Sequence, residues 1–206
     1  MQEYVWVSQA WQAPETELWL VSDLSTSNVE AAIEGARLCG KGQSVPPELC
    51  PQRLWGADKA RHFSSLPDLF KASGHWVVSA RAAGVLRQFD LGGGALYPVD
   101  EGAFQKDNVA PIGGEYFCWV FGNAKAGLAA EASKNLRPPA VPGLWYGLPW
   151  KFADGDIAVS ASVLAGPDVW IDKLLFQSLF VSRALGDALV AAGLKQQFRL
   201  FKCRVV

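Results

Sequence analysis

The sequence has no long apolar run and no excess of charge of either sign. It contains no stretch of about eighteen apolar residues, the length that a membrane-spanning helix needs, and Met1 is not followed by a basic leader and an apolar segment. Its 19 basic and 20 acidic residues are scattered along the chain and leave a formal net charge of −1. We therefore expect a cytoplasmic protein whose partner is neither a membrane nor a nucleic acid.

The short motifs that identify common active sites are also missing. There is no G-x-S-x-G elbow, H-E-x-x-H helix, Walker loop or G-x-G-x-x-G turn. The run Gly92, Gly93 and Gly94 follows a predicted helix, whereas a phosphate-binding loop precedes its helix, so we interpret it as a helix exit. His75, one of only two histidines, opens an apolar strand and is predicted to be structural. We predict no catalytic residues and no cofactor.

Metal-binding patterns are absent as well. The four cysteines lie far apart, without a C-x-x-C pair or a histidine at zinc-finger spacing, so we predict free, buried thiols. They are Cys39, Cys50, Cys118 and Cys203. Carboxylates cluster in two places, but not at the spacing of an EF-hand. These are Asp154 with Asp156, and Asp168 with Asp172. We expect the second pair to cap turns or to form a salt bridge with Arg183, and we predict no metal site.

What the sequence does contain is apolar and aromatic material. Half of the 206 residues are hydrophobic, which is enough for a substantial core without disulfides or metal. We predict a single domain over residues 1–206, or two intimately packed halves. The chain also has nine tryptophans and eleven phenylalanines. Most of these rings are expected in the core, but tryptophan is also enriched at the centres of protein interfaces.

Strand signals occur at both ends and in the middle of the chain. In the N-terminal part, residues 1–74, two short segments of β-branched and aromatic residues predict strands. They are residues 4–7 and 18–21. Further strands are predicted at residues 116–121, 156–160 and 169–171. Residues 125–142 are small, polar and proline-rich, and predict a mobile surface segment.

Two helices are predicted in the N-terminal part. Ser27 and Glu30 fit a capping box at the start of a helix whose apolar stripe includes Ile33. A second, shorter helix is predicted over residues 67–73, because proline suits the first helical position and Gly74 would close the helix.

The most informative pattern is an internal repeat of a strand, a serine-capped helix and a second strand. The first unit covers residues 75–99 with Ser79 as the helix N-cap, and the second covers residues 178–206 with Ser182 in that position. Apolar residues recur at helical spacing in both units. They are Ala82, Val85, Leu86 and Phe89 in the first, and Leu185, Ala188, Leu189 and Ala192 in the second.

Each predicted helix of the repeat is followed by a glycine, Gly92 or Gly193, which allows a left-handed exit. The last strand is predicted over residues 198–205. The predicted fold class is therefore α+β, with two pseudo-repeated strand-helix-strand units packed with additional antiparallel strands in one compact body.

Several runs of residues carry a family resemblance. They are Val78-Ser79, Asp90-Leu91-Gly92-Gly93, Tyr97-Pro98-Val99, Val181-Ser182, Cys203-Arg204-Val205 and, most specific, the string G-P-D-x-W-x-D at residues 166–172. Over roughly residues 75–206 the chain resembles immunity family eleven of bacterial polymorphic-toxin systems. The resemblance implies a cytoplasmic protein that binds and neutralises a toxin made by a neighbouring gene, and it brings no active-site residues. Trp170 in the string is predicted to be core.

Partner binding is predicted to use aromatic residues outside the repeats. Residues 143–150 place three large rings among glycines and prolines, with no obvious sheet to bury them. The candidate partner contacts are therefore Trp145, Tyr146 and Trp150. The alternative is that these rings pin their loop to the body of the protein.

Two other functions remain open at this point. The first is a small cytosolic enzyme whose site is assembled from distant residues, such as Cys118 with His75. The second is a small-molecule-binding module that stacks a ligand on its aromatic residues. A reactive cysteine in a pocket would favour the enzyme, and a deep apolar pocket with convergent polar groups would favour the binding module. The sequence does not predict an oligomeric state.

Overall fold

The computed structural model describes residues 3–139, 141 and 144–206. Within them, five α-helices and sixteen strands give the mixed α+β class that the sequence predicts. The helices α1 to α5 span Asp23–Ser27, Val29–Gly40, Ala80–Leu86, Arg183–Ala191 and Lys195–Phe198. The strands β1 to β16 span Tyr4–Ser8, Leu20–Ser22, Arg53–Gly56, Leu69–Ala72, His75–Ser79, Ala95–Pro98, Gly102–Phe104, Pro111–Ile112, Tyr116–Val120, Ala124–Lys125, Tyr146–Gly147, Ala158–Val159, Val169–Asp172, Leu175–Phe176, Leu179–Val181 and Leu200–Val205.

The strands form two main sheets, one sheet of four shorter strands and one pair of two-residue strands. One main sheet has six strands in the order β10-β13-β15-β1-β16-β12, and the other has four in the order β4-β5-β9-β6. The sheet of shorter strands has the order β2-β3-β7-β8, and the pair is β11-β14. In the main sheets, β1 lies antiparallel between β15 and β16, and β9 lies antiparallel between β5 and β6. Each helical connection, through α3 or through α4 and α5, therefore crosses over one intervening strand.

Three hydrophobic clusters fill the spaces around these sheets. Successive side chains of a strand point to opposite faces, so Trp6 enters the central cluster while Val5 and Val7 enter another on the far side of the six-stranded sheet. The central cluster also receives Leu86 from α3 and Leu189 from α4. A remaining cluster lies on the other face of the four-stranded main sheet and includes Phe70, Val77 and Leu54. The central core therefore joins both main sheets and both of these helices.

Both predicted serine N-caps are present. The Ser79 hydroxyl accepts a hydrogen bond from the Ala82 amide at 3.3 Å, and the Ser182 hydroxyl accepts one from the Leu185 amide at 3.2 Å. Each serine thus satisfies one of the amides that a helix N-terminus leaves without a partner. The local signals at the two helix starts were sufficient because this cap requires only residues three positions apart.

The two predicted glycine exits have different outcomes. Gly193 has φ +75° and directly follows the cap of α4, where the Leu194 amide donates to the Leu189 carbonyl at 2.9 Å, as in a Schellman motif. Gly92 is not a helix exit, because α3 ends at Leu86 and Gly92, with φ +54°, lies in the turn before β6. That prediction was wrong because the apolar spacing continues past the last helical residue.

The helix predicted over residues 67–73 is wrong. This segment contains β4, which pairs antiparallel with β5, and Ser73 and Gly74 form the two-residue turn between them. Both turn residues have positive φ, +48° and +84°, as the type I′ turns of tight hairpins require. Pairing with a long buried neighbour outweighs the weak preference of a single proline for a helix start.

The capping box predicted at Ser27 and Glu30 is also wrong. Ser27 is the last residue of α1, and the Asn28 side chain caps α2 by accepting from the Ala31 amide at 3.1 Å. The apolar face is displaced as well, since Ile33 is 62% exposed. The residues of α2 that are buried are Ala32, Gly35 and Cys39. Small residues face the sheet because α2 packs closely against β5.

Two further predictions need correction. The last strand begins at Leu200 rather than at residue 198, because residues 195–198 form α5 and Arg199 adopts a left-handed conformation with φ +46°. The segment 125–142 is not wholly at the surface, since Leu128 is buried in the core. Its first residue also belongs to β10, which pairs with β13 at the edge of the six-stranded sheet.

The two main sheets meet at a seam beside Asn123. The Asn123 side-chain nitrogen lies 2.7 Å from the Leu91 carbonyl oxygen and 2.9 Å from that of Val169, and its oxygen accepts from the Gly93 amide at 2.9 Å. There is no room for a side chain here, because a Cβ at Gly92 would lie 2.4 Å from the Pro167 ring, two residues before β13. One polar side chain thus joins the turn after α3 to β13.

We predict that Leu189→Ala lowers the free energy of unfolding by about 2–5 kcal/mol, because Leu189 is fully buried in the central core and its loss leaves a cavity. The exposed Leu164 supplies the matched control, and Leu164→Ala should change stability by less than about 0.5 kcal/mol. Urea denaturation measures both. Equal stability of the two variants would contradict the assignment of Leu189 to the core.

Candidate functional site

The hairpin formed by β13 and β15, whose connection contains β14, is held by the buried carboxylate of Asp172. One carboxylate oxygen accepts from the Leu174 amide at 2.9 Å, and the other accepts from the amides of Gly127 and Leu128 at 2.8 and 2.9 Å. Burial raises the pKa of this carboxyl, whereas the three amide hydrogen bonds favour its ionised form. Asp172 therefore fixes the turn and ties it to the neighbouring segment.

The hairpin exposes a phenylalanine beside a tryptophan. Alternation along β14 buries Leu175 and leaves Phe176 48% exposed. Strand β11 pairs in parallel with β14, which brings the Trp145 ring to 5.7 Å from the Phe176 ring, measured between centroids. Trp145 is itself 49% exposed. Tyr146, the next residue, is only partly exposed and packs against the cluster that contains Leu148.

Trp150 is presented differently, on a backbone that other residues hold in place. The side-chain amide of Gln9 donates to the Trp150 carbonyl at 2.9 Å, and Arg137 Nε donates to the Leu148 carbonyl at 2.8 Å. Leu148 is fully buried. The Arg137 guanidinium lies 4.1 Å from the centroid of the Trp150 ring, yet the tryptophan remains 71% exposed. The segment is therefore anchored mainly by Leu148 and by hydrogen bonds, not by this ring.

These side chains form a candidate interaction site that we name the aromatic surface. Its members are Leu144, Trp145, Trp150, Leu174 and Phe176. A cleft of about 320 Å³ is lined by Trp145, Phe176 and Arg137 among others, and the Arg137 guanidinium also lies against the Trp150 ring. Exposed large apolar side chains that adjoin one another are typical of protein-binding surfaces, where tryptophan and arginine are common anchors.

The structure brings the predicted partner contacts together, but with unequal exposure. Trp145 and Trp150 belong to the aromatic surface, whereas Tyr146 is turned towards the core. Gly143, the first residue of the predicted segment, lies outside the described residues. The sequence did not indicate Phe176 or Arg137. The run that contains Phe176 resembles a buried strand, and Arg137 lies beside Trp150 only because the folded chain brings these two residues together.

The cysteine and histidine considered for an enzyme are both buried in the structure. The hydrogen bond to Cys50, together with burial, raises the pKa of the Cys118 thiol well above its usual value, so Cys118 stays protonated. Burial lowers the pKa of His75, whose Nε2 lies 3.0 Å from the Leu49 carbonyl oxygen. All four cysteines are free and buried, as the sequence predicts. This environment suits inert thiols rather than an activated nucleophile.

The clustered carboxylates have protein partners. Asp168 accepts from the Asp90 amide at 2.9 Å, and Asp154 accepts from the Lys202 amide at 2.8 Å. Asp156 pairs with Lys134 at 3.0 Å. Within the described part of the chain, no group of three or more His, Cys, Asp and Glu residues is arranged to hold a metal ion. Nor does that part contain a helix long and apolar enough to cross a membrane.

Comparison with models of protein families identifies a family for this chain. The model of an immunity protein family, Imm11, matches residues 44–200, which is more than half of the chain and confirms the resemblance found in the sequence. The matched range includes every member of the aromatic surface, but it does not include β1, α1 or α2. No curated protein matches the sequence significantly.

We predict that Asp172→Asn lowers the free energy of unfolding by about 1–3 kcal/mol, because only the side-chain oxygen of asparagine can accept, and its NH2 group would face at least one of the buried backbone amides that the carboxylate now satisfies. The matched control is Asp58→Asn at a side chain that is 95% exposed, which should leave stability unchanged. Thermal unfolding compares the two. An unchanged melting temperature for Asp172→Asn would show that the carboxylate does not support the hairpin.

Proposed function

Since the chain belongs to the Imm11 immunity protein family, we propose that it acts in the bacterial cytoplasm and neutralises a cognate toxin by binding it. The toxin is proposed to be encoded by a neighbouring gene and to be bound before it can harm the producing cell. Family membership supports the immunity role, and the aromatic surface supports a mode of action through protein contact.

The observation that carries this proposal is the exposure of Trp145 and Trp150 on a backbone anchored by other groups. An indole exposed to water is costly unless a partner covers it. Because Leu148, Gln9 and Arg137 hold the segment, the rings are presented in a fixed arrangement, and little conformational entropy is lost when a partner binds. Such preorganised aromatic anchors commonly dominate the affinity of an interface.

We propose that neutralisation occurs without catalysis by this chain. The buried, protonated Cys118 and the buried His75 support this view, because neither has access to a substrate. A toxin can be neutralised by covering its active site or by blocking its movement, and both require only a stable complementary surface. An enzyme or a small-molecule-binding module remains the alternative that the experiment below tests.

We also propose that the chain is one domain, residues 1–206, built on the two pseudo-repeated units. The strand orders β4-β5-β9-β6 and β13-β15-β1-β16 support the repeat, since in each the helical connection crosses over one antiparallel strand. The shared central core supports the single domain. We expect residues 76–91 to superpose on residues 179–194, and a different direction of the helix relative to its strand would contradict the repeat.

We predict that Trp145→Ala and Trp150→Ala each weaken binding of the toxin domain encoded next to this gene by roughly thirtyfold, or about 2 kcal/mol, at an unchanged melting temperature. Calorimetry with the purified toxin domain measures the affinity, and growth of bacteria that express the toxin with each variant measures protection.

The matched control is Trp19→Ala, since Trp19 is 55% exposed but lies outside the aromatic surface, and it should bind like the natural chain. A lowered melting temperature with full affinity at low temperature would show that Trp145 and Trp150 stabilise the fold and do not contact the toxin. If the natural chain itself neither binds the toxin domain nor protects the cells, the proposed function is wrong.

A further inference from the structure

A cleft of about 440 Å³ lies beside the aromatic surface. One part of its wall is formed by Trp11 and by the end of α2, where Gly40 is the last residue, and another part is formed by Trp145 and Phe176. Ile171 and Leu175, both buried in the core, also line it. The cleft is thus apolar inside and is continuous with the aromatic surface through two shared rings.

The wall formed by Trp11 is rigid. Its ring packs edge to face with Trp76 at 5.3 Å and with Phe121 at 5.8 Å, both measured between centroids. These two rings belong to the central core. A partner side chain that enters the cleft would therefore contact a surface fixed by core packing, and such well-packed pockets are where binding energy concentrates.

The charges around the cleft are mainly positive. Arg37, Lys41 and Lys173 line it, and Arg37 is already paired with Glu34 at 2.6 Å. Asp172 is the one acidic residue among the described residues of its lining. Both Asp172 oxygens are buried and accept hydrogen bonds from backbone amides, so they are not available to form an ion pair with Lys41 or Lys173. An occupant with carboxylates next to an apolar side chain complements this arrangement.

We propose that this cleft receives a large apolar side chain from an acidic segment of the toxin, and that Lys41 and Lys173 pair with the flanking carboxylates. The inference rests on the proposed function and specifies the chemistry of the partner. The apolar interior supplies affinity, and the lysines steer the acidic segment towards the opening, so that association is faster at low ionic strength.

The first test fills the cleft without straining the fold. A Cβ at Gly40 would lie 3.7 and 3.8 Å from Trp11 atoms, which is ordinary contact, so Gly40→Phe can place its ring in the cleft. We expect toxin binding to become weaker by about tenfold or more, with no loss of thermal stability. The matched control is Gly84→Phe on an exposed position of α3, where a Cβ meets nothing within 4 Å, and it should bind normally.

The second test reverses the charge. In the double variant Lys41→Glu and Lys173→Glu, we expect slower association with the toxin domain and a smaller dependence of the association rate on sodium chloride. Stopped-flow mixing at several salt concentrations measures both. An association rate that equals that of the natural chain at every salt concentration would overturn the assignment of the acidic segment.

A peptide separates failure of this inference from failure of the proposed function. The blocked peptide Glu-Leu-Phe-Glu should shift the indole N–H resonances of Trp11 and Trp145 in the natural chain but not in Gly40→Phe, and Lys-Leu-Phe-Lys should shift neither.

If the natural chain neutralises the toxin, the affinity of Gly40→Phe for the toxin decides whether the cleft is the binding site. Retained affinity overturns this assignment. If the natural chain does not neutralise the toxin, the proposed function fails and the peptide decides. Binding of the acidic peptide then supports the cleft as a site for acidic apolar segments, and absence of binding overturns it.

Discussion

The structure depends on one constraint, which is that its two main sheets meet where the chain passes from β9 to β10, with little room for side chains. A Cβ at Gly92 would lie 2.4 Å from the Pro167 ring, and the Asn123 side-chain amide makes hydrogen bonds with Leu91, Gly93 and Val169 that the backbone there would otherwise lack. Because the seam sets the position of β9 relative to β13, it also sets where α3 and α4 meet in the central core. The surface features are built outward from this junction.

The family string G-P-D-x-W-x-D belongs to this scaffold and not to the surface. Asp168 accepts a backbone hydrogen bond from the turn before β6, Trp170 is fully buried and stacks on Phe180 at 5.6 Å, and Asp172 holds the hairpin. The rings that a partner can reach lie outside the string. A family organised in this way can keep one fold while its members present different surfaces.

Local signals predicted the parts of the fold that neighbouring residues determine. The strand at residues 75–79 and the helix starts at Ser79 and Ser182 were correct because a cap and an apolar run act within a few residues. The predictions for residues 67–73 and for the buried face of α2 were wrong because strand pairing and packing between distant parts of the chain determine both. Trp145 and Trp150 were chosen from their own loop, whereas Phe176 becomes part of the surface only through the hairpin of β13 and β15 and the pairing of β14 with β11.

The position of β1 has a consequence for how the protein is made. This strand occupies an interior place in the six-stranded sheet, between β15 and β16, and its partners are more than 170 residues away along the chain. On a ribosome that adds about 5–20 residues per second, β1 waits roughly 10 to 35 seconds before its neighbours are synthesised. Long-range pairing of this kind also folds slowly. If the chain neutralises a toxin as proposed, protection begins only after β15 and β16 have been translated and have paired with β1.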